Sequence, residues 1–193
     1  MRTITLEEHF ASPAFMDGPG KPLREQARSV GALGQQIPEQ LCDLGDERIA
    51  AMDAADISMQ VLSLTAPGVE QLEPDVAETL ARESNDYLAD AVRRYPQRLA
   101  GFASLPVAKP GMAVKELERM VQNHGFPGAV IIGHMGETLP FMIQRMDHTM
   151  TPERTKLKRP IGAYLRENIH YTFSWFNYTS ITCCGSRSMN SFL

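Results

Sequence analysis

Short apolar runs bounded by Gly and Pro recur along this chain, separated by longer segments whose apolar residues fall at helical spacing. No other feature constrains the fold as tightly, because strands alternating with helices imply right-handed βαβ units and a parallel sheet. Residues 2–6 alternate polar Thr3 and Thr5 with apolar Ile4 and Leu6, as a short strand does. Further strands are expected at 59–64, 99–105, 129–132 and 169–173. Ala129-Val130-Ile131-Ile132 reads as a strand buried on both faces. Helices are expected from an N-cap at Asp46, from Pro74, after Pro110-Gly111, over 139–146 and from Pro160. Val76, Leu80, Tyr87, Leu88, Ala91 and Val92 form the inward face of the second, and Val114, Leu117, Met120 and Val121 that of the third. Residues 11–42 carry many Pro and Gly and read as a long irregular excursion with one short helix near 23–29.

Composition narrows the function. The 193 residues carry 19 Lys+Arg against 23 Asp+Glu, a net charge of −4 with no basic run, which disfavours a nucleic-acid partner. No apolar run is long enough for a membrane span, and the first ten residues lack the apolar core of a signal peptide. Cys42, Cys183 and Cys184 are an odd set without metal-type spacing, as expected of a protein of the reducing cytoplasm.

In parallel α/β folds, chemistry sits at the carboxyl ends of strands. Glu7, His9, Thr65 and His134 fall at such ends. Side chains two apart on a strand share a face, so Glu7 and His9 can converge on one divalent metal, although a solvated strand end has the same pattern. His134 follows the most apolar strand in Gly133-His134-Met135-Gly136-Glu137. There it can move a proton, with Glu137 orienting its ring, or it can be a satisfied core histidine.

Leu6-Glu7-Glu8-His9-Phe10, residues 62–68 (LSLTAPG), residues 95–102 (YPQRLAGF) and residues 132–141 (IGHMGETLPF) together resemble the amidohydrolase-related (amidohydrolase 2) family. Within it the chain is most similar to metal-dependent decarboxylases of hydroxybenzoic acids, over roughly residues 3–176. The resemblance implies a TIM-type (β/α) barrel with one divalent metal (zinc, manganese or magnesium). Glu7 and His9 are then metal ligands, and His134 and Glu137 the catalytic pair. The implied substrate is a small aromatic carboxylate, and the implied reaction its non-oxidative decarboxylation. The family pattern also carries a ligand histidine on a middle strand and an aspartate after the last one. Here the helix ending near Gly125 runs almost directly into the strand before His134, and no Asp follows Asp147.

The expected architecture is therefore an incomplete barrel of about five parallel strands against the eight of a closed one. A partial barrel domain spans 1–176 and an irregular tail 177–193. Two further readings stand beside the decarboxylase: a hydrolase of a lactone, ester or amide, and a catalytically dead truncated relative. Exposed apolar strands would let the truncated relative associate with full-length subunits, and a homo-oligomer is a further expectation.

Overall fold

The computed structural model describes residues 2–29, 31–130 and 138–169. The chain divides into two compact units, Met1–Val130 and Ile131–Leu193.

The first unit opens with β1 (Ile4–Phe10). Three helices follow: α1 (Pro13–Asp17), α2 (Lys21–Ser29) and α3 (Ala32–Cys42). The irregular excursion expected over 11–42 is thus corrected to mostly helical structure. Its prolines mislead because of where they fall. Pro13 and Pro22 stand in the first turns of α1 and α2, where a missing N–H costs nothing. Pro38 lies inside α3, which continues around it. Ser12 starts α1 by accepting the Phe15 amide at 3.2 Å.

Next come α4 (Asp46–Ala54), β2 (Met59–Leu64) and α5 (Pro74–Arg94). Asp46 is the first residue of α4 rather than its cap. The capping carboxylate is that of Asp43, which accepts from Arg48 N at 2.7 Å and Gly45 N at 2.8 Å. β3 (Leu99–Ala103), α6 (Pro110–His124) and β4 (Gly128–Ala129) complete the unit. α6 ends at Gly125, whose φ of 69° is left-handed and free of nearby atoms, so the chain reverses there without steric cost.

The strands form one parallel sheet in the order β1-β2-β3-β4, curled as half of a TIM-type barrel. Each strand pairs with its sequence neighbour, as right-handed crossovers dictate. Gln60 pairs with Leu99 and Leu62 with Gly101, so these residues share the face that meets the helices. Phe10, Leu62, Leu99 and Ala103 pack there against Met52, Leu88, Ala91, Met120 and Phe126. A second cluster, with Ala11, Phe15, Met16, Val69, Leu80 and Ala81, joins α1 to α5.

The inward faces expected of two helices need correction. Val76 is 53% exposed, while the expected Leu80, Leu88 and Ala91 are buried together with Ala77, Ala81, Ser84, Asn85 and Ala89. On α6 the buried line is Ala113, Glu116 and Met120, which leaves Val114 (56%) and Val121 (42%) on the outside. Glu116 is inside because it is paired. It accepts Asn85 Nδ2 at 2.7 Å and a two-pronged contact from Arg119 at 2.7 and 2.8 Å. Hydrogen bonding to Glu116, and then to Asp86, pushes the Arg119 guanidinium further up from its usual range.

Pairing along β1 is irregular. Thr5 faces Gln60 and Glu8 faces Leu62, so one extra residue of β1 is accommodated at Leu6–Glu7. This β-bulge reverses the strand's alternation. Thr5 and Glu8 are three apart, yet both stand beside residues of the helix-facing side. The bulge accounts for two oddities. Leu6 is 48% exposed, and Thr5 Oγ1 is a buried side-chain oxygen with no hydrogen-bond partner among the described residues.

In the second unit, the described residues form α7 (Thr138–Thr149), α8 (Pro152–Thr155) and α9 (Ile161–Asn168). Asp147 Oδ1 accepts the Gly162 amide at 2.6 Å, and a Cβ at Gly162 would meet Ile143 Cγ2 at 2.7 Å, so α7 and α9 touch closely. Four parallel strands are described. The fifth expected strand, 169–173, lies outside the described residues except for Ile169, and the irregular tail lies wholly outside them.

Candidate functional site

Of the four residues expected at strand ends, the structure describes the side chains of His9 and Thr65, which stand at the carboxyl ends of the adjacent strands β1 and β2. His9 pairs with Ser63 in the β1–β2 ladder, and Phe10 with Leu64. Phe10 is fully buried against the helices, so its neighbour His9 projects from the opposite face, the concave side of the half-barrel. Ser63 stands beside it on that face. Their side chains meet, with His9 Nδ1 3.2 Å from Ser63 Oγ. Ser63 Oγ also lies 3.5 Å from the Glu8 carbonyl oxygen, which it approaches as a donor. Thr65 follows directly, buried, and its amide donates to the Phe10 carbonyl at 2.9 Å, sealing the two strand ends together.

Arg48, on α4, ties this end of the sheet to the helices. Its guanidinium donates to the backbone oxygens of His9 (3.1 Å), Gln40 (2.9 Å) and Asp43 (2.7 Å), and to Gln60 Oε1 (3.1 Å). Burial pushes its pKa down, and the carboxylates of Asp43 and Glu8 act against that shift. Five donors in a rigid fork suit the arginine to such a junction.

The backbone of Glu7 lies in β1 at the bulge, and its side chain lies outside what is described. His134 and Glu137 lie outside the described residues altogether. Ser63 and Arg48 escaped the sequence reading. A serine interrupting Leu62-Ser63-Leu64 at a strand end was the available signal for the first. For Arg48 no local signal existed, since its four partners are spread over residues 9 to 60.

A divalent ion would find part of its ligand set here. The carboxylate and imidazole of a Glu-x-His strand end are donors that suit a divalent ion. Among the described residues, however, no three His, Cys, Asp or Glu side chains cluster as a metal site requires. An open groove of about 770 Å³ runs along α5 past Asp86, Tyr87, Asp90 and Arg93 to His124, and His9 is not among its described lining residues.

A parallel half-barrel with a Glu-x-His motif at the end of its first strand defines a class, and comparison with known proteins gives the family. Residues 39–167 match the amidohydrolase family profile, and the chain belongs to that family. It is 39% identical over 137 residues to the gamma-resorcylate decarboxylase of Rhizobium radiobacter, covering 69% of this chain and 39% of that protein. Among solved structures it superposes on the dihydroxybenzoic acid decarboxylase of Polaromonas sp., crystallised with manganese and 2-nitroresorcinol. The TM-score is 0.58 and the identity 38%, over 69% of this chain and 39% of that one. It also superposes on the 5-carboxyvanillate decarboxylase of Novosphingobium aromaticivorans, crystallised with manganese and a nitrobenzoic acid. There the TM-score is 0.62 and the identity 34%, over 70% of this chain and 42% of that one. The chain thus spans about two fifths of the length of these relatives.

Proposed function

We propose that this chain carries the first-strand portion of a metal-dependent, non-oxidative decarboxylase of a small hydroxylated aromatic acid. The observation that supports it is the placement of His9 beside Ser63 at the carboxyl end of a parallel half-barrel, in a chain related to decarboxylases whose structures hold manganese. Glu7 and His9 would hold the ion, which is manganese, zinc or magnesium. A bound divalent ion supplies electrostatic stabilisation of the anionic substrate and of charge developing on it.

The protein's own residues have simpler tasks. His9 binds through its ring and is anchored through its backbone by Arg48. His134 delivers a proton to the ring carbon that bears the carboxylate, and Glu137 orients the imidazole. As the new C–H bond forms, the C–C bond to the carboxylate breaks, its electron pair returns to the ring, and CO₂ leaves. The substrate is a small aromatic carboxylate and the setting the cytoplasm. Self-association would follow from apolar surface such as Leu6, Val114 and Val121.

A second reading, a catalytically dead relative, is favoured by one observation: no three potential ligands cluster among the described residues. A two-ligand site binds metal weakly. Purified chain would be assayed for bound manganese and zinc, for CO₂ release from hydroxybenzoates, and for hydrolysis of a lactone and ester panel. Manganese-dependent CO₂ release abolished by His9→Ala supports the decarboxylase. Metal uptake without turnover supports the inert relative, and lactone or ester hydrolysis without CO₂ release moves the chain to the hydrolases. Absence of any metal uptake refutes the proposed site.

A further inference from the structure

We propose that Ser63 is a positioning residue that holds the His9 imidazole as its Nδ1–H tautomer, so that the lone pair of Nε2 is presented to a cation. The inference rests on the metal-binding role given to His9 above, and adds a residue that the role itself does not require.

The geometry carries it in three steps. His9 and Ser63 are register partners at the carboxyl ends of adjacent parallel strands, so their Cβ atoms leave the sheet side by side on its concave face. The nitrogen that meets the serine is Nδ1, at 3.2 Å. A neutral imidazole protonated on one nitrogen carries its lone pair on the other, so whatever fixes Nδ1 also decides what Nε2 can do.

The serine hydroxyl has one proton to give. Its second neighbour is the Glu8 carbonyl oxygen, 3.5 Å away, and a carbonyl can only accept. With the proton directed to Glu8, the serine oxygen accepts from Nδ1–H. The result is a relay from His9 Nδ1–H to Ser63 Oγ–H to the Glu8 carbonyl, closed within one turn of the ladder. Histidine ligands of metals are usually oriented in this way through the ring nitrogen that faces away from the ion. Here the orienting group is a neutral hydroxyl on the neighbouring strand. It fixes the ring without adding a negative charge.

Two independent restraints therefore act on one residue. Arg48 fixes the backbone of His9 by donating to its carbonyl at 3.1 Å, and Ser63 fixes the ring. Packing does not demand the hydroxyl. Its neighbour Leu62, fully buried in the helix-facing core, already anchors β2 there, and an alanine at 63 would leave that packing intact.

The test uses the full chain, metal-free, with ¹⁵N-labelled histidine, at about pH 8.5 where imidazoles are neutral. Long-range ¹⁵N–¹H correlation identifies which nitrogen of His9 carries the proton. The expected result is Nδ1–H in the parent chain, loss of that tautomer in Ser63→Ala, and its return in Ser63→Thr, which keeps a hydroxyl. In parallel, manganese titration should show binding weakened roughly 10–100-fold in Ser63→Ala and restored in Ser63→Thr. An Nε2–H ring in the parent overturns the proposal without recourse to any variant. So does an Ser63→Ala spectrum that keeps Nδ1–H. If the tautomer follows the hydroxyl but the parent chain binds no manganese, the orienting role of Ser63 stands and the metal-binding role of His9 falls.

Discussion

Asn85 offers a sharp test of how α5, β3 and α6 are locked together. The side chain is fully buried and has all its polar atoms engaged. Nδ2 donates to the Ser104 carbonyl at 2.9 Å and to Glu116 Oε1 at 2.7 Å, while Oδ1 accepts the Ser104 amide at 2.8 Å. Asn85→Asp keeps the shape and turns the donating atom into an acceptor. The bond to Ser104 contributes about 0.5–1.5 kcal/mol and that to the charged Glu116 about 1.5–3 kcal/mol. Their loss alone costs about 2–4.5 kcal/mol. Repulsion between two carboxylates adds to this, at most about 4 kcal/mol for charges ~4 Å apart at an effective dielectric of ~20, and Arg119 offsets part of it.

An overall deficit of about 3–5 kcal/mol at about pH 8 is expected, a large share of the 5–15 kcal/mol typical of a folded domain. Its pH dependence has a definite sign. Burial and the Glu116 charge raise the folded-state pKa of the introduced carboxyl above its unfolded value. The deficit is therefore full above the folded pKa and shrinks as the pH falls toward the unfolded one. Urea unfolding followed by ellipticity, parent against variant, should give a deficit at least ~1.4 kcal/mol smaller at about pH 5 than at about pH 8, the equivalent of one pKa unit. A deficit below ~1 kcal/mol, or one equal at both pH values, would refute the account.

Gly101→Ala should destabilise by about 1–3 kcal/mol and lower the melting temperature by several degrees, because the new Cβ would sit 2.5 Å from Leu88 Cδ2 and 2.8 Å from the Phe126 ring. Thr5→Val should be neutral or stabilising by up to ~1 kcal/mol in the same urea assay, since it removes a buried hydroxyl that has no partner; a loss above ~1 kcal/mol would show that the hydroxyl is satisfied. Tyr87 donates to the Cys42 carbonyl at 2.5 Å, and burial raises its phenol pKa. Its contribution is present below the ordinary tyrosine range and lost as the pH rises through the raised folded value. Tyr87→Phe should accordingly be less stable than the parent near neutrality, with the gap narrowing in alkaline unfolding titrations.

What the sequence revealed depended on how local each cause was. β2 matches the expected residues 59–64 because an apolar run between turn signals specifies a strand without outside help. Pro74 and Pro160 mark helix starts for equally local reasons. Over residues 11–42 the number of Pro and Gly predicts an excursion, but their positions decide the outcome, and a proline in a first turn starts a helix. Val114 and Val121 were assigned inward on hydrophobicity, whereas α6 turns Ala113 and Glu116 to the interior because Asn85 and Arg119 wait there. That pairing spans 31 residues and has no signature in any short window. The same holds for Ser63 against His9, which meet across 54 residues.

The bulge at Leu6–Glu7 gives β1 an uneven tolerance to insertions and deletions. Upstream of it, losing Ile4 would let the strand resume strict alternation, set Thr5 opposite Met59 on the concave side, and leave the ladder from Glu8 onward untouched. With the residues before it held in register, losing Glu8 would set His9 opposite Leu62 on the helix-facing side and Phe10 opposite Ser63 on the concave face. The extra residue is slack for changes before it, which it absorbs without moving the ladder from Glu8 to Phe10.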